Sequence, residues 1–257
     1  MMRRLLIAAL LSSFAGIAWA DEVAALRRDL QMASDTRADE AAKQLAASKD
    51  PKATDAILDL LALGIPPRHA QVLLGGLAGR KDARSLEVLI VFSHNRNADL
   101  RRRAVELLGQ LPDPKVVQPL LAALSDSTPE VRAAAADALG HRRERSAEGK
   151  LMQLLERRDS SAPAALAAIA TPELAHRLAE RIGPIPDELL CDTFGEILRR
   201  ADFGPDAVRV EIVKTLAKIP GDVSTTALIE YMQSTEKDPK RPSRVEAESI
   251  VNHRKGG

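Results

Sequence analysis

The sequence predicts an all-α fold, an α-solenoid (superhelix) of helix pairs with a period of about 31 residues. Two registers and one rhythm predict it. In the first register residues 99–109 realign on residues 130–140, pairing Leu100 with Val131, Arg101 with Arg132, Ala104 with Ala135, Leu108 with Leu139 and Gly109 with Gly140. The second register runs through Leu58, Leu89, Leu120 and Leu151 at the same offset of 31. One period shared by two independent registers marks a repeat architecture. The rhythm is helical: Val116, Val117, Leu120, Leu121 and Leu124 recur at i, i+3 or i+4 and lie on one stripe. Neither helix of a pair buries such a stripe alone, so neighbouring pairs must stack.

In chain order, residues 1–20 read as a signal peptide. Arg3 and Arg4 precede an apolar run from Leu5 to Leu11, and Ala18-Trp19-Ala20 sets small residues where signal peptidase reads, with the cut before Asp21. The apolar run is short for a membrane span, and no cysteine stands near the cut to take a lipid. The expectation is a periplasmic or secreted protein with no stable membrane anchor after cleavage. Loss of Arg3 and Arg4 would leave 35 of the 37 basic residues against 36 acidic ones.

Residues 21–234 are the expected solenoid, clearest over 77–157. Over 36–76 the pattern is worn, with Leu45 and Asp50-Pro51 keeping it. In the clearest unit residues 114–124 make a first helix and 125–129 a turn, with Thr128 as N-cap and Pro129 at the first helical position. The second helix, 130–139, stops at Gly140, which can take the left-handed conformation that ends helices. Past residue 160 the period slips. Val208-Arg209 to Leu216 matches Val131-Arg132 to Leu139, and Leu139 to Leu216 is 77 residues, two periods plus 15. The excess is assigned to an added helix at 186–201, with Leu189, Leu190, Phe194, Ile197 and Leu198 on its apolar face and Cys191 beside them. Such a helix would be a phase break in the superhelix. Residues 235–257 are a polar C-terminal tail or cap with one short helix near 243–252.

Residues 117–140, VQPLLAALSDSTPEVRAAAADALG, resemble the HEAT repeat, in particular the short variety of phycobilisome-lyase-like proteins. Asp126, Val131, Arg132, Ala135, Leu139 and Gly140 match that pattern, as do Leu100, Arg101, Ala104, Leu108, Gly109 and Asp113 one unit earlier. The resemblance implies second helices lining a concave face. It also implies that Arg101 and Arg132 tie neighbouring units together through a carboxylate, for which Asp126, Glu106 and Asp137 are available.

Chemistry is sparse. None of the five histidines, His69, His94, His141, His176 and His253, precedes a glutamate or lies within six residues of another, so helical zinc motifs are absent. His69 reads as a partly buried, hydrogen-bonded core residue. Gly75-Gly76 reads as a close helix–helix approach, not a phosphate loop. Cys191, the single cysteine, excludes an intramolecular disulfide and reads as a buried small hydrophobe, with intermolecular or redox use as the alternative. A net charge of +1 and 2% aromatic residues argue against nucleic acid and against aromatic-lined pockets. What remains is arginine: Arg101, Arg102, Arg132, Arg142 and Arg143 are the candidate partner-binding residues, alongside the structural role that the resemblance gives two of them. The expected function is a non-enzymatic, exported scaffold without cofactor or metal, binding another protein on its concave face within an envelope or periplasmic assembly. A lyase or isomerase of the phycobilin-attaching type and a HEAT-like nucleic-acid-binding protein are the alternatives.

Overall fold

The computed structural model describes residues 22–32, 35–80 and 82–256. The expected cleavage site at Ala18, Ala20 and Asp21 lies outside them. The described residues are helical apart from turns and one isolated bridge between Ile182 and Ile185. The chain divides into two compact units, Met1–Pro119 and Leu120–Gly257.

The first unit holds α1 (residues 22–32), α2 (Asp35–Ala47), α3 (Pro51–Leu63), α4 (Pro67–Ala78), α5 (Ala83–Phe92) and α6 (Ala98–Gln110). Their starts are written in side chains. Asp50 accepts a hydrogen bond from the Lys52 amide at 2.8 Å with Pro51 opening the helix, Asp82 caps Arg84 in the same way, and Asn97 caps Leu100. Within the unit α2, α4 and α6 stack in one row. At the α2–α4 seam a Cβ placed on Gly76 would fall 2.7 Å from the Ala46 Cα, so the close approach read from Gly75-Gly76 is real and belongs to Gly76.

The expected first helix at 114–124 opens instead as a 3-10 turn, Pro114–Val116, continued by α7 (Val117–Ala123). Pro119 has no amide hydrogen to donate back to Lys115, so the first turn tightens and Val117 donates to the Pro114 carbonyl.

The second unit continues with α8 (Pro129–His141), α9 (Glu148–Glu156), α10 (Ala162–Ile169), α11 (Pro172–Ala179), α12 (Asp187–Arg199), α13 (Asp206–Lys218), α14 (Asp222–Ser234) and α15 (Pro242–Gly256). Thr128 does stand at the N-cap of α8 with Pro129 following, but its hydroxyl does not close the cap. Gly140 does not end α8. It is helical, and a Cβ there would sit 3.2 Å from the Ala165 Cα, so it sets the α8–α10 distance. The helix ends at His141, and past its cap residue Arg142 the next residue, Arg143, takes a left-handed φ of 52° while its amide donates to Gly140 and that of Glu144 to Leu139. That is a Schellman ending carried by arginine. Arg158, at φ 63°, repeats it after α9.

Two rows organise this unit: α8, α10, α12 and α14 in one, α11, α13 and α15 in the other. The added helix expected at 186–201 is therefore a correction. α12 packs between α10 and α14 as a regular member of its row, with Leu190, Phe194, Ile197 and Leu198 buried. The 15-residue excess is half a repeat: the match of 208–216 to 131–139 laid α13, of one row, on α8, of the other. Both bury the same stripe pattern, so periodicity alone could not tell them apart. The C-terminal residues act as a cap, α15 packing on α13 and α14. Arg254 holds it there by donating to the Ala217 and Ile219 carbonyls at 2.9 and 3.0 Å.

Candidate functional site

The loops between the helices of a pair hold the first two candidate arginines. Asn95, Asp126 and Asp159 occupy equivalent loop positions, and each side chain accepts a hydrogen bond from the amide two residues ahead, at 2.9, 2.8 and 3.0 Å. Arg101 donates to the Asn95 and Arg96 carbonyls, and Arg132 to those of Asp126 and Ser127. Arg132 also reaches Asp159 of the next repeat at 2.6 Å, with a side chain only 20% exposed. Burial pushes the Asp159 carboxyl up, but hydrogen bonds from Ser161 and Arg132 outweigh it and hold the group below its ordinary range. Arg132 is thus the carboxylate tie between repeats that the resemblance implies, with Asp159 in place of Asp126, Glu106 or Asp137. Of the expected partner-binding residues, Arg101 and Arg132 have guanidinium groups that fasten their own loops.

The other three differ. Arg102 pairs with Glu106 one turn along α6, and Arg103 joins it at 3.2 Å. Arg142 is half-buried at the end of α8. Arg143 pairs with Asp202 and stays 61% exposed. Hydrogen bonds from Arg200 and Arg143 hold Asp202 well below the usual carboxylate range.

A charged surface that the arginine reading missed lies on the row of α8, α10, α12 and α14. Its exposed residues fall at helical spacing: Ala133, Asp137 and His141 on α8, Ala164 on α10, Glu188, Asp192 and Glu196 on α12, and Asp222, Thr226 and Glu230 on α14. Between α12 and α14 runs a groove of about 260 Å³ lined by Cys191, Asp192, Gly195, Arg199, Asp222 and Glu230, among others. Arg199 bridges it, donating to Glu230 and to Glu196, each at 2.8 Å. Burial, then the neighbouring Glu188 and Glu230, push the Asp192 carboxyl up. Burial likewise pushes the Cys191 thiol up to about 12, so it stays protonated and unreactive at neutral pH. The i, i+4, i+8 run of Glu188, Asp192 and Glu196 was the signal in the sequence, overshadowed there by the apolar face of the same helix.

His69 is 3% exposed with Nε2 2.7 Å from Asp39 Oδ1, a hydrogen-bonded core histidine as expected. Among the described residues no group of three or more His, Cys, Asp or Glu could hold a metal ion, and no helix is long and apolar enough to cross a membrane.

With this geometry in place, comparison with known proteins gives one family. Residues 66–139 and 86–170 match the family model of HEAT repeats. Over that stretch the chain is similar to HEAT repeats. No curated protein matches the chain. Among solved structures an engineered protein aligns over 91% of this chain and 68% of its own, at 19% identity and a TM-score of 0.43. The complex of CpcE and CpcF of phycocyanin lyase from Nostoc sp. PCC7120 aligns over 84% and 94%, at 16% identity and a TM-score of 0.39. A designed armadillo repeat protein aligns over 88% and 97%, at 17% identity and a TM-score of 0.33.

Proposed function

We propose that this protein is a non-enzymatic, exported HEAT-like scaffold that binds another protein, within an envelope or periplasmic assembly. The observation that carries the reading is the open stripe along α8, α10, α12 and α14, where residues four apart on successive helices are exposed side by side. Stacked repeats offer extended surfaces of this kind, suited to recognition across many small contacts. Arg143, exposed at the end of α8, stays a candidate contact at the edge of that stripe, and Arg102 one on α6. Export rests on Arg3, Arg4 and the Ala18-Trp19-Ala20 cleavage pattern.

A photo-reactive amino acid at Ala164, on the stripe, and another at Glu173, exposed on α11 of the other row, test the reading in the native cell. Protein adducts from position 164 and none from 173 are the expected result. Equal labelling from both, or none from either, defeats it. Mass spectrometry of the exported protein should find a chain starting at Asp21; an intact Met1 start in the soluble cytoplasmic fraction defeats export.

A further inference from the structure

We propose that a groove of the first unit, between the end of α4, the start of α5 and the turn after α6, takes an arginine side chain of a partner protein. None of its residues belongs to the α8–α14 stripe, and it rests on the protein-binding reading above only for the partner being a protein. The first support is the repeat itself. Arg80 and Leu111 stand three residues past Leu77 and Leu108, equivalent buried positions one period apart. Arg80 folds back over the α2–α4 seam. It donates to the Leu45, Ala46 and Ser48 carbonyls at 3.1, 3.3 and 2.7 Å, and to Thr54 Oγ1 in the first turn of α3 at 3.0 Å. At the α4–α6 seam the equivalent residue is Leu111, whose side chain has no donor.

The second support is a buried hydroxyl with nothing to bond. Ser85 stands in the first turn of α5, as Thr54 does in that of α3, and is 3% exposed. Its Oγ has no hydrogen-bond partner among the described residues. A hydroxyl buried in this way opposes folding, and a donor arriving from outside would relieve it. The third support is the groove beside it. Ser85 and Leu111 both line a groove of about 410 Å³, with Leu86 and Ile90 supplying apolar wall. That wall suits the aliphatic stem of an arginine, whose planar head carries five N–H donors, one of them for Ser85 Oγ. Among the charged lining residues, Arg80 is turned onto the α2 carbonyls and Asp82 pairs with Arg84, while Asp113 and Lys115 offset one another in sign. Glu87 remains, an exposed carboxylate without an ion pair among the described residues, placed to meet an incoming cation. One repeat earlier, a guanidinium already fills the equivalent place.

The test follows the backbone amide resonances of the mature chain by NMR as a capped pentapeptide, one arginine flanked by alanines, is added. Saturating shifts at Ser85, Leu86 and Leu111 are expected. The same peptide with citrulline for arginine, equal in length but uncharged, should bind about fivefold or more weaker. Ser85→Ala should weaken the arginine peptide about threefold or more, yet leave the melting temperature unchanged or raised, since it removes a hydroxyl that nothing bonds. Thr54→Ala, which deprives Arg80 of an acceptor, should instead lower it by about 2–4 °C. Leu111→Arg should fill the groove from within the chain and abolish peptide binding; where that variant fails to fold, Ser85→Ala decides. In the native cell a photo-reactive amino acid in place of Lys115, exposed on the rim, should give a protein adduct that Ser85→Ala weakens and Leu111→Arg removes. Equal binding of the two peptides, or shifts confined to other residues, overturns the assignment. So does a Ser85→Ala chain destabilised as much as Thr54→Ala, because the hydroxyl would then have a partner within the chain. Adducts from position 164 with none from 115 overturn this site and leave the scaffold reading standing. Adducts from 115 with none from 164 keep this site and defeat the stripe alone.

Discussion

The α8–α10 and α12–α14 seams belong to one row of the second unit and are closed in different ways. At α8–α10 the backbones themselves set the distance, since Gly140 leaves no room for a Cβ before the Ala165 Cα at 3.2 Å. The groove above it, about 500 Å³, is lined mainly by short residues such as Ala133, Ser161, Ala164 and Ala168, with His141, Asp137 and Arg143 giving a mixed rim. On α12 the buried face carries a large side chain, Phe194, fully buried. Gly195 there has space: a Cβ would first meet Arg199 Nη1, the far end of a flexible chain, at 3.5 Å. Its rim is acidic. The difference teaches that the buried stripe sets how close two helices come, while the exposed stripe, which packs against nothing, is free to take any charge. The repeat pattern constrains the first and says little of the second.

Five substitutions break or sharpen that comparison. The largest effect belongs to Phe194→Ala, expected to cost about 3–5 kcal/mol in denaturant unfolding; a loss below about 1 kcal/mol would mean that the packing of α12 does not depend on that ring. The two glycines come next and should differ in sign. Gly140→Leu should cost about 1–3 kcal/mol because the neighbouring backbone must move, whereas Gly195→Ala should gain up to about 1 kcal/mol of helix propensity. Losses at both would show the seams to be equally tight.

Arg132→Ala should cost about 1–3 kcal/mol, since it strips the tie from a largely buried Asp159. Asp159 titrates lower folded than unfolded, so its contribution is complete above about pH 4 and is lost as pH falls through the folded value. The gap between wild type and variant should narrow over that acid range; a gap independent of pH removes the carboxylate from the explanation. Asp192→Asn is the smallest, about 0.5 kcal/mol or less, and stabilising at neutral pH. Asp192 titrates higher folded than unfolded, so its ionised form opposes folding at neutral pH. Wild type should regain the difference as pH falls through that raised value. Destabilisation by the substitution at pH 7 would mean that Asp192 has a favourable contact.

The half-repeat at α12 shows where reading residues in order stops. Leu100 with Val131, Leu108 with Leu139 and the proline and Asx positions between them were enough to place helix pairs, their turns and the buried stripe, because these are local requirements that each repeat meets alone. Burial of His69 and Cys191 followed the same local pattern, His69 from its helical register and Cys191 from its place beside the apolar face of its helix. Residues 208–216 matched 131–139 equally well although α13 and α8 stand in different rows. Row membership depends on which neighbours a helix meets in space, and two helices with one stripe each look alike until those neighbours are present. The arginines divided on the same ground. Arg132 and Arg143 lie eleven positions apart on one stretch of chain, and both meet a carboxylate, yet Arg132 closes its loop onto Asp159 with a side chain 20% exposed while Arg143, paired with Asp202, stays 61% exposed. Composition and spacing name which side chains are cationic; only packing, by bringing a carbonyl or a carboxylate within reach, decides which of them remain to meet a partner.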